Sequence, residues 1–264
     1  MKIVECSPFF DEKDLLKVKL ELLYDYIDQF VICESNYTYS GIFKGYNFLN
    51  YQDEFKIWQD KIVYLKFEPT QEELNLGRFN AWDLEYLQRT NYVKNLDDND
   101  VAIFSDLDEI INPEILYNIR TNGLDKDLKH LNMSLYYYYL NCKGVGIYNS
   151  NWNSVFLAKV SYIKENNIHP INQRNKPVNC IENAGWHFSY LGGVEKIRNK
   201  IKSFSHQELN NDYYTNYNHL LYCIDNGIDY IGRIGYDWKF VDIKEFPLKL
   251  YNIIIKYTEF IKTF

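Results

Sequence analysis

Residues 101–109 read VAIFSDLDE, an apolar run followed directly by an acidic cluster. The apolar residues predict a buried strand. Asp106 and Asp108 follow it two positions apart, so both side chains point to one face. Ligands of open α/β sheets bind at the carboxyl ends of strands. The two carboxylates are therefore predicted to lie where a ligand binds.

Two converging carboxylates predict a site for a hard divalent cation such as Mg²⁺ or Mn²⁺, which prefers oxygen ligands. Phosphate oxygens readily fill the open positions on such a cation, so a nucleotide sugar is the leading candidate substrate. Asp106 is expected to bind both the metal ion and the nucleotide-sugar donor. The alternative is a solvated turn that caps the helix predicted to begin at Pro113, because Asp-x-Asp also occurs by chance in acidic loops.

Strands and helices alternate before this segment. Apolar runs predict strands at residues 3–6, 30–33 and 62–67. Apolar residues three and four positions apart predict helices over residues 14–27 and 78–94. The alternation predicts an α/β fold with a Rossmann-like mixed sheet flanked by helices.

The predicted helix over residues 78–94 carries large apolar residues on one side and polar residues on the others. The apolar residues are assigned to the core: Phe79, Trp82, Tyr86 and Val93. Glu85, Gln88 and Arg89 would then look into a cleft, where the guanidinium of Arg89 could bind a phosphate.

The second half of the chain is less regular. Strands are predicted over residues 131–141 and 155–163, and a helix is predicted to open at Gly192-Gly193 and run through Lys202. A last amphipathic helix is predicted at about residues 248–264, with these residues on its apolar side: Leu250, Ile253, Ile254, Tyr257, Ile261 and Phe264. A docked core helix is favoured for this segment, and peripheral contact of its lysines with a membrane is the alternative.

Composition limits the class of protein. A length of 264 residues without a Gly/Ser-rich linker predicts one domain over residues 1–264. The net charge of −7 argues against nucleic-acid binding, which needs a basic face. Five scattered cysteines lack the spacing of a zinc or redox site and are expected to be reduced core thiols. Residues 1–6 show no signal peptide or membrane anchor, so a cytoplasmic location is expected.

Polar residues also follow the strand predicted at residues 30–33. Glu34, Ser35 and Asn36 stand at its carboxyl end, where they could bind a nucleobase or ribose or simply cap a loop. Lys44 lies in the loop between Gly41 and Gly45 and could offer its charge to a phosphate or to solvent.

Two of the five histidines lie in polar, turn-flanked settings. His187 and His206 are both possible ligands, since a neutral imidazole is acceptable to Mn²⁺. His187 is the better candidate for contact with a metal or a diphosphate, and a hydrogen-bonded structural histidine is the alternative for each.

The pieces together resemble glycosyltransferase family 17. These motifs carry the resemblance: Pro8-Phe9-Phe10, Glu12 with Asp14-Leu15-Leu16, Phe30-Val31-Ile32 with Glu34-Ser35-Asn36, Thr38 with Gly41, Gln88-Arg89, Ser105-Asp106-Leu107-Asp108-Glu109-Ile110, Gly185-Trp186-His187 and Ser203-Phe204-Ser205-His206. The resemblance implies a GT-A-type fold, a donor like UDP-GlcNAc, a glycan acceptor and inversion at the anomeric carbon. Eukaryotic members carry a membrane anchor, which is not recognisable here, so a surface glycan is expected as the product.

An inverting transfer needs a carboxylate that removes the proton of the acceptor hydroxyl. Glu182 is favoured for this role, with Glu208 and Glu109 as alternatives, although Glu109 could instead pair with Arg89. Two other classes of protein are alternatives. A haloacid-dehalogenase-like phosphatase also places two aspartates after an apolar strand, but it expects Gly where this chain has Glu109. A non-catalytic carbohydrate-binding module would use the abundant Tyr and Trp residues.

Overall fold

The first half of the chain builds a parallel sheet. The computed structural model describes residues 1–176 and 178–263, and at residue 78 the backbone alone. The strands of this half are β1 (Ile3–Phe9), β2 (Gln29–Ser35), β3 (Ile62–Phe67) and β4 (Val101–Phe104). They pair in parallel in the order β4, β1, β2, β3. All four carboxyl ends therefore lie at the same edge, and the four predicted strands are confirmed.

Helices cover both faces of this sheet. They are α1 (Lys13–Leu23), α2 (Asn47–Tyr51), α3 (Gln71–Phe79), α4 (Ala81–Val93) and α5 (Pro113–Asn122). Alternate strand residues pack to opposite sides: Ile32 belongs to the cluster formed with α1 and α5, and Val31 to the cluster formed with α4. Helix α1 ends earlier than predicted, although Ile27 is still buried in the turn that leads into β2.

In the helix over residues 78–94, the predicted core contacts of Phe79, Trp82 and Tyr86 are wrong. Val93 does pack on the core, and the polar residues face a cleft as predicted. The helical segment is broken at Asn80, which has extended backbone angles and caps α4 by accepting the N–H of Trp82 at 3.3 Å. Phe79 is 93% exposed, and Trp82 and Tyr86 are also exposed. The buried face instead carries polar residues: Glu85, Gln88 and Arg89.

These polar residues can be buried because each finds a partner. Glu85 accepts a hydrogen bond from Ser205, Gln88 donates to the Cys33 carbonyl at 2.7 Å, and Arg89 pairs with Asp106. Their partners are distant in sequence, so the apolar periodicity of the helix did not reveal them.

The second half adds antiparallel pairing to the sheet. Its strands are β5 (Glu109–Ile111), β6 (Leu128–Tyr137), β7 (Cys142–Gly144), β8 (Trp152–Lys159), β9 (Cys180–Ile181), β10 (Gly185–Ser189) and β11 (Trp238–Phe240). Strand β8 lies between β4 and β6 and is antiparallel to both, whereas β10 runs parallel to β6 and antiparallel to β5. The α/β class and the mixed sheet flanked by helices, as expected of a GT-A-type fold, are confirmed.

Two predicted strands end earlier than expected. Strand β6 ends at Tyr137 because Tyr138 adopts a positive φ of 66°, which is incompatible with an extended strand. Strand β8 ends at Lys159, and a helix begins with the next residue. The remaining helices are α6 (Val160–Glu165), α7 (Gly193–Ser203), α8 (Tyr217–Asn226) and α9 (Leu248–Ile254). The helix predicted after Gly192-Gly193 is confirmed.

The long C-terminal helix is shorter than predicted. Helix α9 ends at Ile254, a turn follows, and Thr258–Phe260 forms a separate 3₁₀ helix. Phe264, assigned to this helix from the sequence, lies outside the described residues. The lysines considered for membrane contact instead lie near acidic residues of the same chain: Lys249 with Asp25, Lys256 with Glu21 and Lys262 with Asp225.

Within the described part of the chain, no helix has the length and apolar character needed to cross a membrane. The cysteines are free thiols, and four of them are buried: Cys6, Cys33, Cys142 and Cys223. This agrees with the expectation of reduced core thiols.

Candidate active site

A cavity of about 740 Å³ opens where β1, β2 and β4 end. Phe10 follows β1, Tyr37 and Tyr39 follow β2, and Asp106 and Asp108 follow β4. The volume lies within the usual range for small-molecule sites, roughly 300–1,000 Å³. The structure thus brings both aspartates to the ligand-binding edge of the sheet.

Asp106 is held between two guanidinium groups. Its Oδ1 accepts a hydrogen bond from Arg89 Nη2 at 2.7 Å, and its Oδ2 accepts one from Arg174 Nη2 at 2.8 Å. Burial alone would raise the pKa of this carboxyl, but Arg174 and Arg89 outweigh burial and lower the pKa to about 2. Asp106 is therefore ionised at neutral pH.

Asp108 faces a lysine and a histidine. Lys200 Nζ lies 2.8 Å from Asp108 Oδ2, and His187 Nε2 lies 3.4 Å from Oδ1. Burial would raise the pKa of Asp108, but the nearby Lys200 and His187 hold it well below its usual range. The His187 ring stacks at a tilt on Trp152, with centroids 4.3 Å apart.

The fit of these residues to a divalent cation is partial. Among the residues described, no three His, Cys, Asp or Glu side chains are grouped as a metal cage. Both Asp106 oxygens are engaged by guanidinium groups, and Asp108 has Lys200 Nζ at one oxygen and His187 Nε2 at the other. A carboxylate and an imidazole suit Mn²⁺, which can take its other ligands from phosphate and water, better than Mg²⁺, for which an imidazole ligand is unusual.

Glu109 holds several residues of this site in place. It is fully buried, and its carboxylate accepts hydrogen bonds from Trp152 Nε1, Arg174 and the backbone N–H of Asp106. The predicted pairing of Glu109 with Arg89 is wrong, because Arg89 turns to Glu85 and Asp106 while Arg174 takes the place next to Glu109.

The predicted nucleotide-binding residues are only partly brought to the cavity. Lys44 lines it, and its Nζ lies 2.5 Å from Glu34. Glu34 is fully buried and also accepts hydrogen bonds from the N–H groups of Asn47 and Phe48, so it anchors the loop after β2.

Ser35 and Asn36 lie outside the described cavity lining. Tyr37, Thr38 and Tyr39, one to three residues further along, line the cavity instead. The sequence correctly indicated that residues following β2 reach the cavity, but the prediction named residues 34–36 instead of residues 37–39.

Of the two glutamates proposed as catalytic base in the second half of the chain, one lines the cavity and the other does not. Glu182 is exposed, accepts a hydrogen bond from Asn132 Nδ2, and lies outside the described cavity lining. Glu208 lines the cavity together with His206, whose Nδ1 lies 2.6 Å from Glu208 Oε1.

A buried lysine behind the aspartates was missed by the sequence analysis. Lys19 is fully buried, and its Nζ donates to Glu5 at 2.6 Å, to Ser105 Oγ at 2.9 Å and to the Asp106 carbonyl at 2.8 Å. The available signal was its position on the apolar face of α1, three residues after Leu16. Arg174 was missed because it lies in an irregular segment. Lys200 lies on the predicted helix after Gly193, but the helical pattern does not show that its side chain reaches Asp108.

The second half of the chain forms the far side of the cavity. We call this side the aromatic wall, and it consists of Tyr137, Trp152, Tyr190 and Tyr236. Arg233 packs on Tyr236, with its Cζ 3.8 Å from the ring centroid, and pairs with Asp229 at 2.5 Å. Lys200 links the aromatic wall to Asp108, since its Nζ lies 5.1 Å from the Tyr190 ring centroid.

Comparison with known proteins gives a family match. The family described as Glycosyltransferase family 17 matches residues 1–251. None of the curated proteins compared with the chain matches it significantly. Among solved structures, the crystal structure of S. aureus TarS 1-349 is 12% identical, with 84% of this chain and 69% of that chain covered and a TM-score of 0.44. Mannose-6-phosphate isomerase from Helicobacter pylori is 13% identical, with coverages of 62% and 73% and a TM-score of 0.37.

The family match spans most of the chain and includes every motif that carried the resemblance seen in the sequence. It supports glycosyl transfer, and it gives no support to the phosphatase or to the non-catalytic binding module. The chain belongs to glycosyltransferase family 17.

Proposed function

We propose that the protein transfers a sugar from a nucleotide sugar to a hydroxyl group of a glycan, with GlcNAc from UDP-GlcNAc as the leading donor. One observation carries the proposal. Asp106 and Asp108 meet Arg89, Arg174 and Lys200 in one cavity at the carboxyl ends of parallel strands. Paired carboxylates next to several cations suit a diphosphate that arrives with a divalent cation.

The donor is placed along the first half of the cavity. The nucleoside would lie against Phe10, Tyr37 and Tyr39, whose rings offer stacking faces. The diphosphate would then reach Arg174 and Lys200. Mn²⁺ or Mg²⁺, held by Asp108 and His187, would supply electrostatic stabilisation of the departing diphosphate.

The acceptor is placed on the aromatic wall. Flat apolar rings match the C–H faces of pyranose sugars. One ring of the wall is held in place by a hydrogen bond, because the Tyr190 hydroxyl accepts from the Tyr230 hydroxyl at 2.9 Å. The charge of Arg233 is already balanced by Asp229. The four side chains of the aromatic wall are themselves uncharged, so the wall suits an uncharged sugar better than a phosphorylated one.

The reaction we propose is a single displacement with inversion. The acceptor oxygen attacks the anomeric carbon from the face opposite the diphosphate, the bond between that carbon and the phosphate oxygen breaks, and the electron pair leaves with the nucleoside diphosphate. Arg174 and Lys200 offset the negative charge that grows on the leaving group.

A donor screen tests the proposal. The protein is incubated with UDP-GlcNAc, UDP-glucose, UDP-galactose and GDP-mannose, each with Mn²⁺, with Mg²⁺ or with EDTA, and the released UDP or GDP is measured. We expect release from UDP-GlcNAc to be fastest and to depend on the divalent cation. If no donor is cleaved faster than in buffer, the proposal is wrong.

Asp108→Asn gives a second test. Loss of one charged ligand should lower the rate at least about 100-fold, which corresponds to about 2.7 kcal/mol of transition-state stabilisation. Asp212→Asn, a change at an exposed aspartate, is the matched control and should leave the rate unchanged. Equal rates for the two variants would contradict the role of Asp108.

A further inference from the structure

Glycosyl transfer to a hydroxyl needs a group that accepts a proton. The carboxylates in the described cavity lining are Glu12, Glu85, Asp106, Asp108 and Glu208. Both aspartates are paired with cations, and Glu85 is bound by Arg89 and Ser205. Glu12 holds the turn before α1, because its Oε2 accepts the N–H groups of two neighbouring residues, at 3.0 Å each.

Glu208 differs because its partner is a histidine. Its Oε1 lies 2.6 Å from His206 Nδ1. A carboxylate at this nitrogen favours the tautomer that carries its proton on Nδ1, which leaves a lone pair on Nε2. With Nδ1 taken up by Glu208, Nε2 is the imidazole atom of this cavity-lining histidine that can accept a proton.

The segment that carries the pair is fixed at several points. The backbone N–H of Tyr39 donates to the Ser203 carbonyl at 3.0 Å, and Ser205 Oγ donates to the buried Glu85. Gln207 Nε2 donates to the carbonyl of the preceding Phe204 at 2.6 Å. These contacts reach the strand ends of the first half as well as α4, so the segment is held against the donor side of the cavity.

The imidazole itself is packed on one side. The Trp82 ring meets it edge-on, with ring centroids 4.8 Å apart. The side chains of His206 and Glu208 are 51% and 65% exposed, so an incoming acceptor can reach them from solvent. A hydrogen-bonded pair this exposed contributes little to stability, so its contact with Trp82 and its fixed backbone point to a role other than stability.

We infer that His206 accepts the proton of the attacking hydroxyl and that Glu208 positions the imidazole for this step. The inference rests on the proposed function. The O–H bond of the acceptor breaks, its proton passes to His206 Nε2, and the oxygen forms the new bond to the anomeric carbon. The electron pair of the broken glycosidic bond leaves with the nucleoside diphosphate. His206 would be the catalytic residue and Glu208 the positioning residue.

Water can serve as the acceptor in the test. UDP release from UDP-GlcNAc is measured for the unaltered protein and for His206→Ala, and UDP binding is measured by calorimetry. We expect His206→Ala to slow UDP release about 10²- to 10⁴-fold and to leave the Kd for UDP unchanged. Added imidazole should restore part of the rate in this variant, a rescue that a purely structural role would not produce.

Glu208→Gln tests the positioning role. It should slow UDP release about tenfold, and the double variant with His206→Ala should be no slower than His206→Ala alone, because groups that act as a unit are not additive. Glu165→Gln, a change at an exposed glutamate outside the described cavity lining, is the control, and its rate should match that of the unaltered protein.

The outcomes separate this inference from the proposed function. If the unaltered protein releases no UDP or GDP from any donor of the screen, the proposed function fails and this inference fails with it; if another donor is cleaved, the same variants are compared with that donor. If the unaltered protein is active and His206→Ala is equally active, or is slow but not restored by imidazole, only the inference is overturned. Loss of activity in Glu182→Gln would assign the proton to that residue instead.

Discussion

Replacement of the buried Lys19 by methionine should destabilise the protein strongly. Lys19 Nζ lies 2.6 Å from Glu5 Oε1, and both side chains are completely buried. The second oxygen, Glu5 Oε2, finds no hydrogen-bond partner among the described residues. Removal of the lysine would thus leave a buried carboxylate with two serine hydroxyls as its remaining partners.

The expected magnitude follows from that isolated charge. Breaking a buried ion pair by removing one partner costs about 3–5 kcal/mol, a large part of the roughly 5–15 kcal/mol that stabilises a folded domain. Adding Glu5→Gln to Lys19→Met removes the unpaired charge, so the double variant should recover about 1–3 kcal/mol.

Urea denaturation measures these differences as shifts of the unfolding midpoint. Lys17→Met is the matched control, because Lys17 lies on the same helix and forms its ion pair with Glu54 near the surface. Lys17→Met should cost less than about 1 kcal/mol. Equal midpoints for Lys17→Met and Lys19→Met would refute the argument that burial makes the Lys19 pair indispensable.

Other expected outcomes concern the sheet, the pH dependence of stability and the donor site. Gly185→Ala should lower the free energy of unfolding by at least ~2 kcal/mol, since a Cβ would lie 2.1 Å from the Ile110 carbonyl oxygen at a φ of 150°; an unchanged urea midpoint would contradict this. Burial lowers the pKa of His169 to about 4, below the ordinary value of ~6.5. As the pH is lowered, the unfolded chain therefore binds a proton before the folded chain does. The free energy of unfolding should decrease by up to ~3 kcal/mol as the pH falls from 6.5 to 4. His169→Gln should abolish this decrease in denaturation curves. Arg174→Gln should weaken UDP binding about 10- to 100-fold, because a charge-assisted hydrogen bond contributes about 1.5–3 kcal/mol and Asp106 would lose one of its two guanidinium partners; an unaltered Kd in calorimetry would refute this role.

The parts of the fold that could be predicted from the sequence depend on local patterns. The four parallel strands are continuous apolar runs, and the position of Asp106 and Asp108 after β4 follows directly from one of them. The polar, cleft-facing side of α4 could be predicted. Its burial could not, because the burial of Glu85 depends on Ser205, which is 120 residues away in sequence. The periodicity of apolar residues is a property of a single helix, so it cannot reveal a hydrogen-bond partner in a distant segment.

The candidate site divides in the same way. The aspartates were found from their spacing, whereas Arg174 lies in an irregular segment with no periodic or motif signal. Glu182 was favoured because it stands close to His187 in sequence, but the strand β10 carries the chain away from it before His187 reaches the cavity. Nearness in sequence was a poor guide here, because a strand advances about 3.3 Å per residue.

The position of Asp106 between two arginines has a consequence for folding. Arg89 precedes Asp106 by 17 residues, whereas Arg174 follows it by 68 residues. Contacts between distant parts of a chain form late, because a long loop must close first. The two guanidinium groups can therefore meet on one carboxylate only after the N-terminal parallel sheet and the later segment have docked. Competence to bind donor should appear in the last stage of folding, and a nascent chain that ends before Arg174 should lack it.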